Sequence, residues 1–362
     1  LMAINCPQLR TTQPLRHPDP TVKARKLAYL HFRLPDLTVA AQFLQDFGLQ
    51  VTQWDAESLY LRGTGSEPFC YRVDLGDKPA FVGFGLVVDG MDALRRLADL
   101  PGASQIEALG SPGGGLAVRL QDPSGFSVQA IFGQTEVEPL MHRAALDLNF
   151  ELKTPRINHA QRPPVSAPEV LKLGHLVLEV ADFQQTCGWY TQHFGFIPSD
   201  VQVLPDGSPA VVFMRLNLGD MPADHHTLAI AQGFMPAYSH SAFELVDADA
   251  VGMGQRVLRE RGWQHAWGIG RHILGSQIFD YWQDPWGFKL EHYCDGDVFT
   301  AEVPMGVHPV SREAMAQWGQ AMPASFTRPK LSYSNLKSML HHLRYSSDLT
   351  LRKLITLAKL FG

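Results

Sequence analysis

The chain repeats itself. The segment DPSGFSVQ at 122–129 returns as DPWGFKLE at 284–291, with Asp, Pro, Gly and Phe at the same offsets. Upstream, FRLPDLTVAAQFLQDFGLQV at 32–51 is paralleled by LEVADFQQTCGWYTQHFGFIP at 178–198. Each of these reads as a strand, an Asp-capped amphipathic helix and a Phe-Gly turn. A third echo pairs FVGFGLVVDGMDAL at 81–94 with HSAFELVDADAVGM at 240–253, where alternating apolar residues run into an acidic helix start. The echoes divide the chain into four units of roughly fifty to sixty residues, each a strand, a helix and two or three further strands. Repetition on this scale has to be recognised before a fold is named. Pro139, Pro155, Pro163, Pro164 and Pro168 mark 134–170 as a linker. The expected organisation is an N-terminal arm (1–24), a first domain (25–133), the linker, a second domain (171–300) and a helical extension (301–362).

At 362 residues the chain has room for two such domains, each with its own core. A hydrophobic share of 45% with 19% charged residues describes a globular protein, and a net charge of -5 gives no reason to expect a nucleic-acid partner. No apolar run approaches the ~20 residues of a membrane span, and the first twenty residues lack a signal-peptide core, so a cytoplasmic address is expected. Cys6, Cys70, Cys187 and Cys294 show no framework spacing, which fits free thiols rather than disulfides.

Three residues stand out within apolar, strand-like runs: His175 in LGHLVLEV, His240 in SHSAFELV and Glu291 in GFKLEHY. A titratable side chain at a core-facing strand position is costly to bury unless something pairs with it, and a metal ion is one solution. Two His and one carboxylate, without cysteine, is the donor set associated with mononuclear non-heme Fe(II), and Mn(II) accepts the same set. Taken singly, each has a plainer reading as a hydrogen-bonded core histidine or an edge carboxylate. The duplication weighs against that reading. Tyr29 falls where His175 sits, Phe81 or Val82 where His240 sits, and Gln129 where Glu291 sits. The first half keeps none of the trio, so it reads as a metal-free structural domain and the second half as the active one. His292 alternates to the opposite strand face and is not expected to be a ligand.

Four motifs, LGHLVLEV, DHHTLAIA, SHSAFELV and GRHILGSQIFDYWQDPWGFKLEHYCDGD, resemble the two-domain extradiol ring-cleaving dioxygenases of the vicinal oxygen chelate superfamily. The resemblance covers about 25–300 and is strongest over 173–297. It implies a glyoxalase-like α+β fold, two domains each of paired βαβββ modules, and an enzyme of aromatic catabolism that opens a catechol with O2 at Fe(II), or less commonly Mn(II). Three protein ligands leave up to three positions on an octahedral metal, enough for both catechol oxygens and one dioxygen. By the same resemblance His226, before Thr227, is the acid/base candidate, a histidine of near-neutral pKa being suited to proton transfer. His272 and Tyr281 match the substrate-contacting pair, able to hydrogen-bond a catechol monoanion. The plainer readings are a solvated His pair, a turn histidine and an ordinary strand aromatic. His225 is read as an orienting or rim residue of the substrate pocket. Val177, two positions after His175, is where relatives acting on catechol acids tend to carry a polar residue, so an apolar wall and a bulky, uncharged catechol are expected. Trp189, Phe213, Phe234, Trp282 and Trp286 cannot be placed from sequence.

The stretch 330–362 holds Lys330, Lys337, Arg344, Arg352, Lys353 and Lys359 against Asp348, with leucines at helical spacing. A basic amphipathic helix can lie on a membrane, but docking on the body or on a sister subunit of a homo-oligomer is the expected fate. Two other functions share parts of this pattern: a 4-hydroxyphenylpyruvate dioxygenase-like oxygenase, against which HHTLAIA and HYCDGD argue, and a non-catalytic aromatic-binding protein of the same fold.

Overall fold

The computed structural model describes residues 9–311, 315–327 and 333–361, which leaves Cys6 and Lys330 outside the described residues. Among these, the strands form an eight-stranded sheet, a ten-stranded sheet and a two-stranded pair. In spatial order the first sheet runs Gln50–Trp54, Ser58–Arg62, Tyr71–Leu75, Ala24–Leu34, Ala80–Val88, Ser127–Phe132, Leu116–Gln121, Glu107–Ala108. The second runs Gly306–Pro309, Ile197–Val203, Pro209–Arg215, Leu228–Gln232, Lys172–Val180, Ala237–Glu244, Lys289–Cys294, Ile278–Gln283, Gln264–Arg271, Trp318–Gly319. The inner eight strands of the second repeat the order of the first. Two short strands from beyond residue 300 add one to each edge, which covers backbone groups that would otherwise be unpaired.

The repeated DPxG segment has a clear local cause. Asp122 Oδ1 accepts from Ser124 N and Phe126 N, and Asp284 Oδ1 accepts from Trp286 N and Phe288 N. The glycine of each turn sits at positive φ, 91° at Gly125 and 99° at Gly287, where a side chain would be strained. Both turns launch the strand that carries the last residue of the site or of its counterpart, Glu291 or Gln129. The helices follow less uniformly. Asp36 caps Leu37–Asp46 by accepting from Thr38 N and Val39 N. Asp182, predicted to cap Phe183–Phe194, makes no such bond. Asp348 of the extension takes its place, accepting from Gln184 N at 2.7 Å.

Strand register shows how the halves correspond. His175 lies opposite Ala242, and Ala242 opposite Glu291. In the first half Tyr29 lies opposite Gly85, and Gly85 opposite Gln129. The residue in the place of His240 is therefore Gly83, not Phe81 or Val82, because both strands carry β-bulges that sequence offsets do not reveal. Tyr29 donates a hydrogen bond to Gln129 Oε1, so the first half closes its version of the site with its own side chains. Gly85 leaves room for this, since a Cβ there would lie 2.6 Å from the Tyr29 ring.

One core cluster draws on both halves. Phe47 packs edge-on to Phe243 and its carbonyl accepts from His292 Nε2 at 2.7 Å; Tyr190 donates to Asp122 across the halves. His292 accordingly lies on the face opposite Glu291, buried and turned from the site. Residues 134–169 contain no helix or strand apart from an isolated Phe150–Lys153 bridge. Cys70, Cys187 and Cys294 are buried free thiols. The extension docks: Leu349 and Leu354 pack on Ala181, and Leu357 packs with Leu204, Ala210 and Val310. Among the described residues no helix is long and apolar enough to cross a membrane.

Candidate metal centre and substrate cavity

The three ligand candidates come from three adjacent strands, Lys172–Val180, Ala237–Glu244 and Lys289–Cys294, each residue pointing to the same face of the sheet. Their donor atoms all lie within 4.8 Å of one another. His175 Nε2 is 3.2 Å and His240 Nε2 3.5 Å from Glu291 Oε2. Both carboxylate oxygens of Glu291 are buried without a hydrogen-bond partner. An isolated buried carboxylate costs several kcal/mol, and a divalent cation held by Glu291 and two imidazoles offsets that cost. The protonation states suit the task. Burial pushes His240 down to about 3 even though Glu291 pulls the other way, so the imidazole is neutral. Burial would raise Glu291, but the His175 and His272 imidazoles beside it outweigh that and hold its carboxyl below the usual range, ionised.

A cavity of about 370 Å³ opens on His175 and His240, within the range of small-molecule sites. Val177 and Phe213 line it from the sheet, with Phe234 beside them; Met315, Met322, Phe326 and Leu357 line it from the extension. Of the aromatics left unplaced by sequence, Phe213 and Phe234 belong to the wall, whereas Trp282 is fully buried in the core. The segments beyond residue 300 are tied to the site by hydrogen bonds. Trp267 Nε1 donates to Gln320 O, Lys289 Nζ to Phe326 O, and Lys353 Nζ to Gln232 Oε1.

Next to the trio, His226 lies with its ring 4.0 Å from that of His175. Sequence reasoning gave it a near-neutral pKa; burial, followed by the neighbouring His175 and His225, pushes it well below the ordinary histidine range. His225 is not a rim residue and does not line the cavity. It is buried behind His226, its Nε2 2.7 Å from Asp200 Oδ2 and its Nδ1 2.9 Å from His226 Nδ1. His308, on the partly exposed edge strand, contacts the other Asp200 oxygen at 2.6 Å. Asp200 accepts from His225 Nε2, and one proton is shared across the contact between His225 Nδ1 and His226 Nδ1. With Nδ1 engaged there, Nε2 is the His226 ring nitrogen left for the cavity.

On the far flank, His272 Nδ1 donates to Met315 O at 2.7 Å, so Nε2 is the acceptor for the Tyr281 hydroxyl at 2.9 Å. Tyr281 is held well above the usual phenol range, first by burial and then by Glu291 opposite it, so it stays protonated. Its ring stacks on Trp267 and meets Phe326 and His240 edge-on. Sequence reasoning missed Asp200, His308 and the four wall residues of the extension. No motif marks them, because they reach the site only through strand register and tail docking.

Comparison with known proteins is consistent in direction. A profile described as the Glyoxalase/Bleomycin resistance protein/Dioxygenase superfamily matches residues 172–292. The chain is 27% identical over 331 residues to Metapyrocatechase 2 of Cupriavidus necator, covering 88% of this chain and 96% of that protein. Among solved structures, the Mn(II)-bound glyoxalase from Novosphingobium aromaticivorans superposes with a TM-score of 0.71 at 22% identity, covering 86% of this chain and 97% of that one. An extradiol ring-cleaving dioxygenase from B. fuscum gives 0.72 at 19% identity, covering 89% and 87%. The fold is thus common to two kinds of chemistry, and the side chains at the site carry the choice between them.

Proposed function

We propose that this chain, an extradiol dioxygenase of the vicinal oxygen chelate superfamily, opens a bulky, largely apolar catechol beside its hydroxyls, with Fe(II) held by His175, His240 and Glu291. The reaction adds both atoms of O2 to the ring and yields a ring-opened 2-hydroxy-6-oxo-dienoate-type product. The observation that carries this reading is the buried Glu291 carboxylate, without a hydrogen-bond partner, beside His175 and His240, which line one cavity with His226 and Tyr281. When bound, the metal supplies the redox chemistry that lets dioxygen react with the ring. The remaining tasks fall to the chain itself. His226 Nε2 is the nitrogen to take a substrate hydroxyl proton and later return it to a developing oxyanion. Tyr281 and His272 form a paired donor and acceptor on the opposite side, which fixes the orientation of a catechol monoanion. Phe213, Phe234, Met322 and Phe326 exclude water from the ring.

Anaerobic reconstitution with Fe(II), then addition of aryl- and alkyl-catechols and air, tests the proposal. One O2 should be consumed per catechol, a yellow dienoate should form and no carbon dioxide should be released. Absence of oxygen uptake with every catechol would reject it. Parallel loading with Mn(II) decides which ion supports turnover.

A further inference from the structure

Beyond the metal trio the cavity contains one carboxylate with no assigned task. Glu179 stands on the His175 strand, on the same face and four residues further, which places it roughly 13 Å along the strand with Val177 between. It lines the same cavity as His175 and His240. Among the described residues it has no hydrogen-bond partner. Burial raises its pKa, and Lys289, whose ammonium donates to Phe326 O at 3.1 Å, offsets part of that through its charge. Gly233 backs it with bare main chain: a Cβ there would stand 2.9 Å from Glu179 Cβ and 3.3 Å from Oε2. Glu179 fits there because residue 233 lacks a side chain, and it lines the cavity.

Its neighbours share the deficit. Cross-strand register sets Gln202, Val211, Ala231 and Glu179 in one row over four strands. Gln202 also lines the cavity, and its Oε1 is buried without a partner. Two nearby donors are directed elsewhere: Gln232 Nε2 donates to the carbonyls of Val180, Ala181 and Gly233, and Lys353 Nζ donates to Gln232 Oε1. This end of the cavity offers acceptors to whatever occupies it, at a site where an unmet acceptor is costly.

We infer that Glu179, seconded by Gln202, is a specificity determinant for a catechol whose substituent ends in a hydrogen-bond donor, a protonated amine or a hydroxyl. The inference rests on the catechol reading and adds the chemistry of the far end to it. The Val177 and Phe213 walls accept the apolar middle of the substituent, and the carboxylate receives its tip. A substituent ending in a carboxylate would meet like charge and be rejected.

The test is anaerobic calorimetry on the iron-loaded protein with four catechols carrying substituents of equal length, ending in ammonium, hydroxyl, methyl or carboxylate. Ring opening of each in air is followed separately. The amine- and hydroxyl-ended compounds should bind at least tenfold tighter than the methyl-ended one, with the carboxylate-ended one weakest. The rank of amine against hydroxyl identifies the preferred donor. Glu179→Gln should erase the ammonium advantage while leaving affinity for the methyl-ended catechol within about twofold. Equal affinity for the methyl-ended and donor-ended compounds, with ring opening intact, overturns the inference alone. So does a Glu179→Gln variant that keeps the full ammonium preference. Failure to bind or open any catechol overturns the catechol reading and the inference with it. The series on the unaltered protein decides even if the variant does not fold.

Discussion

His226 shows what a single residue can and cannot reveal from sequence. Its place in an HHT motif suggests proton chemistry, and the structure brings it within ring contact of His175. Its protonation, by contrast, depends on burial and on the neighbouring His175 and His225, which no local pattern encodes. Glu179 was passed over altogether: in LVLEV it looks like the polar beat of an alternating strand, and only the cavity reveals that this beat faces inward. Two outcomes follow at this scale. Replacing His226 with Phe keeps the ligand trio intact, so iron content by plasma emission should match the unaltered protein while kcat falls roughly a hundred- to ten-thousandfold. Replacing His175 with Ala removes one of the three proposed metal donors, so the purified protein should lose stoichiometric metal. A His226→Phe protein with full kcat would remove the acid/base role.

At the scale of elements, the repeat was readable because turns are local. The DPxG segments fold through side-chain-to-backbone bonds within five residues, and those bonds are visible as sequence. The counterpart of His240 was misread because a bulge is a property of two strands together. Asp182 was misread for a similar reason, since a residue 166 positions away in sequence does the capping (348 − 182). The Tyr29–Gln129 pair depends on Gly85 in the same way. Gly85→Ala would drive a methyl into the Tyr29 ring and the Ile131 side chain, at 2.6 and 2.5 Å. The expected cost is about 1–3 kcal/mol of stability by urea denaturation, with iron content unchanged because the metal ligands lie in the other half. An unshifted urea midpoint would mean that the first half is looser than its contacts suggest.

At the scale of the molecule, the halves are joined by polar contacts as well as by a shared core. Asp122, accepting from Tyr190 across the halves, is raised to about 6 by burial even though its hydrogen bonds lower it. A carboxyl whose folded pKa lies above its unfolded value binds more protons in the folded state. Its contribution to stability is therefore fullest below about pH 4 and declines as pH rises through about 6. Asp122→Asn removes that titration. Relative to the unaltered protein it should gain on the order of 2 kcal/mol between pH 4 and pH 7, read as the difference in urea stability. A constant difference across that range would place the Asp122 pKa near its ordinary value. The docked extension has a consequence in time. The three ligand strands are complete by Cys294, whereas Met315, Met322, Phe326 and Leu357 of the cavity wall come later in the chain. During synthesis the metal donors leave the ribosome well before the wall that shelters them. A nascent chain thus exposes the three candidate donors before it has the wall that would keep water away from them.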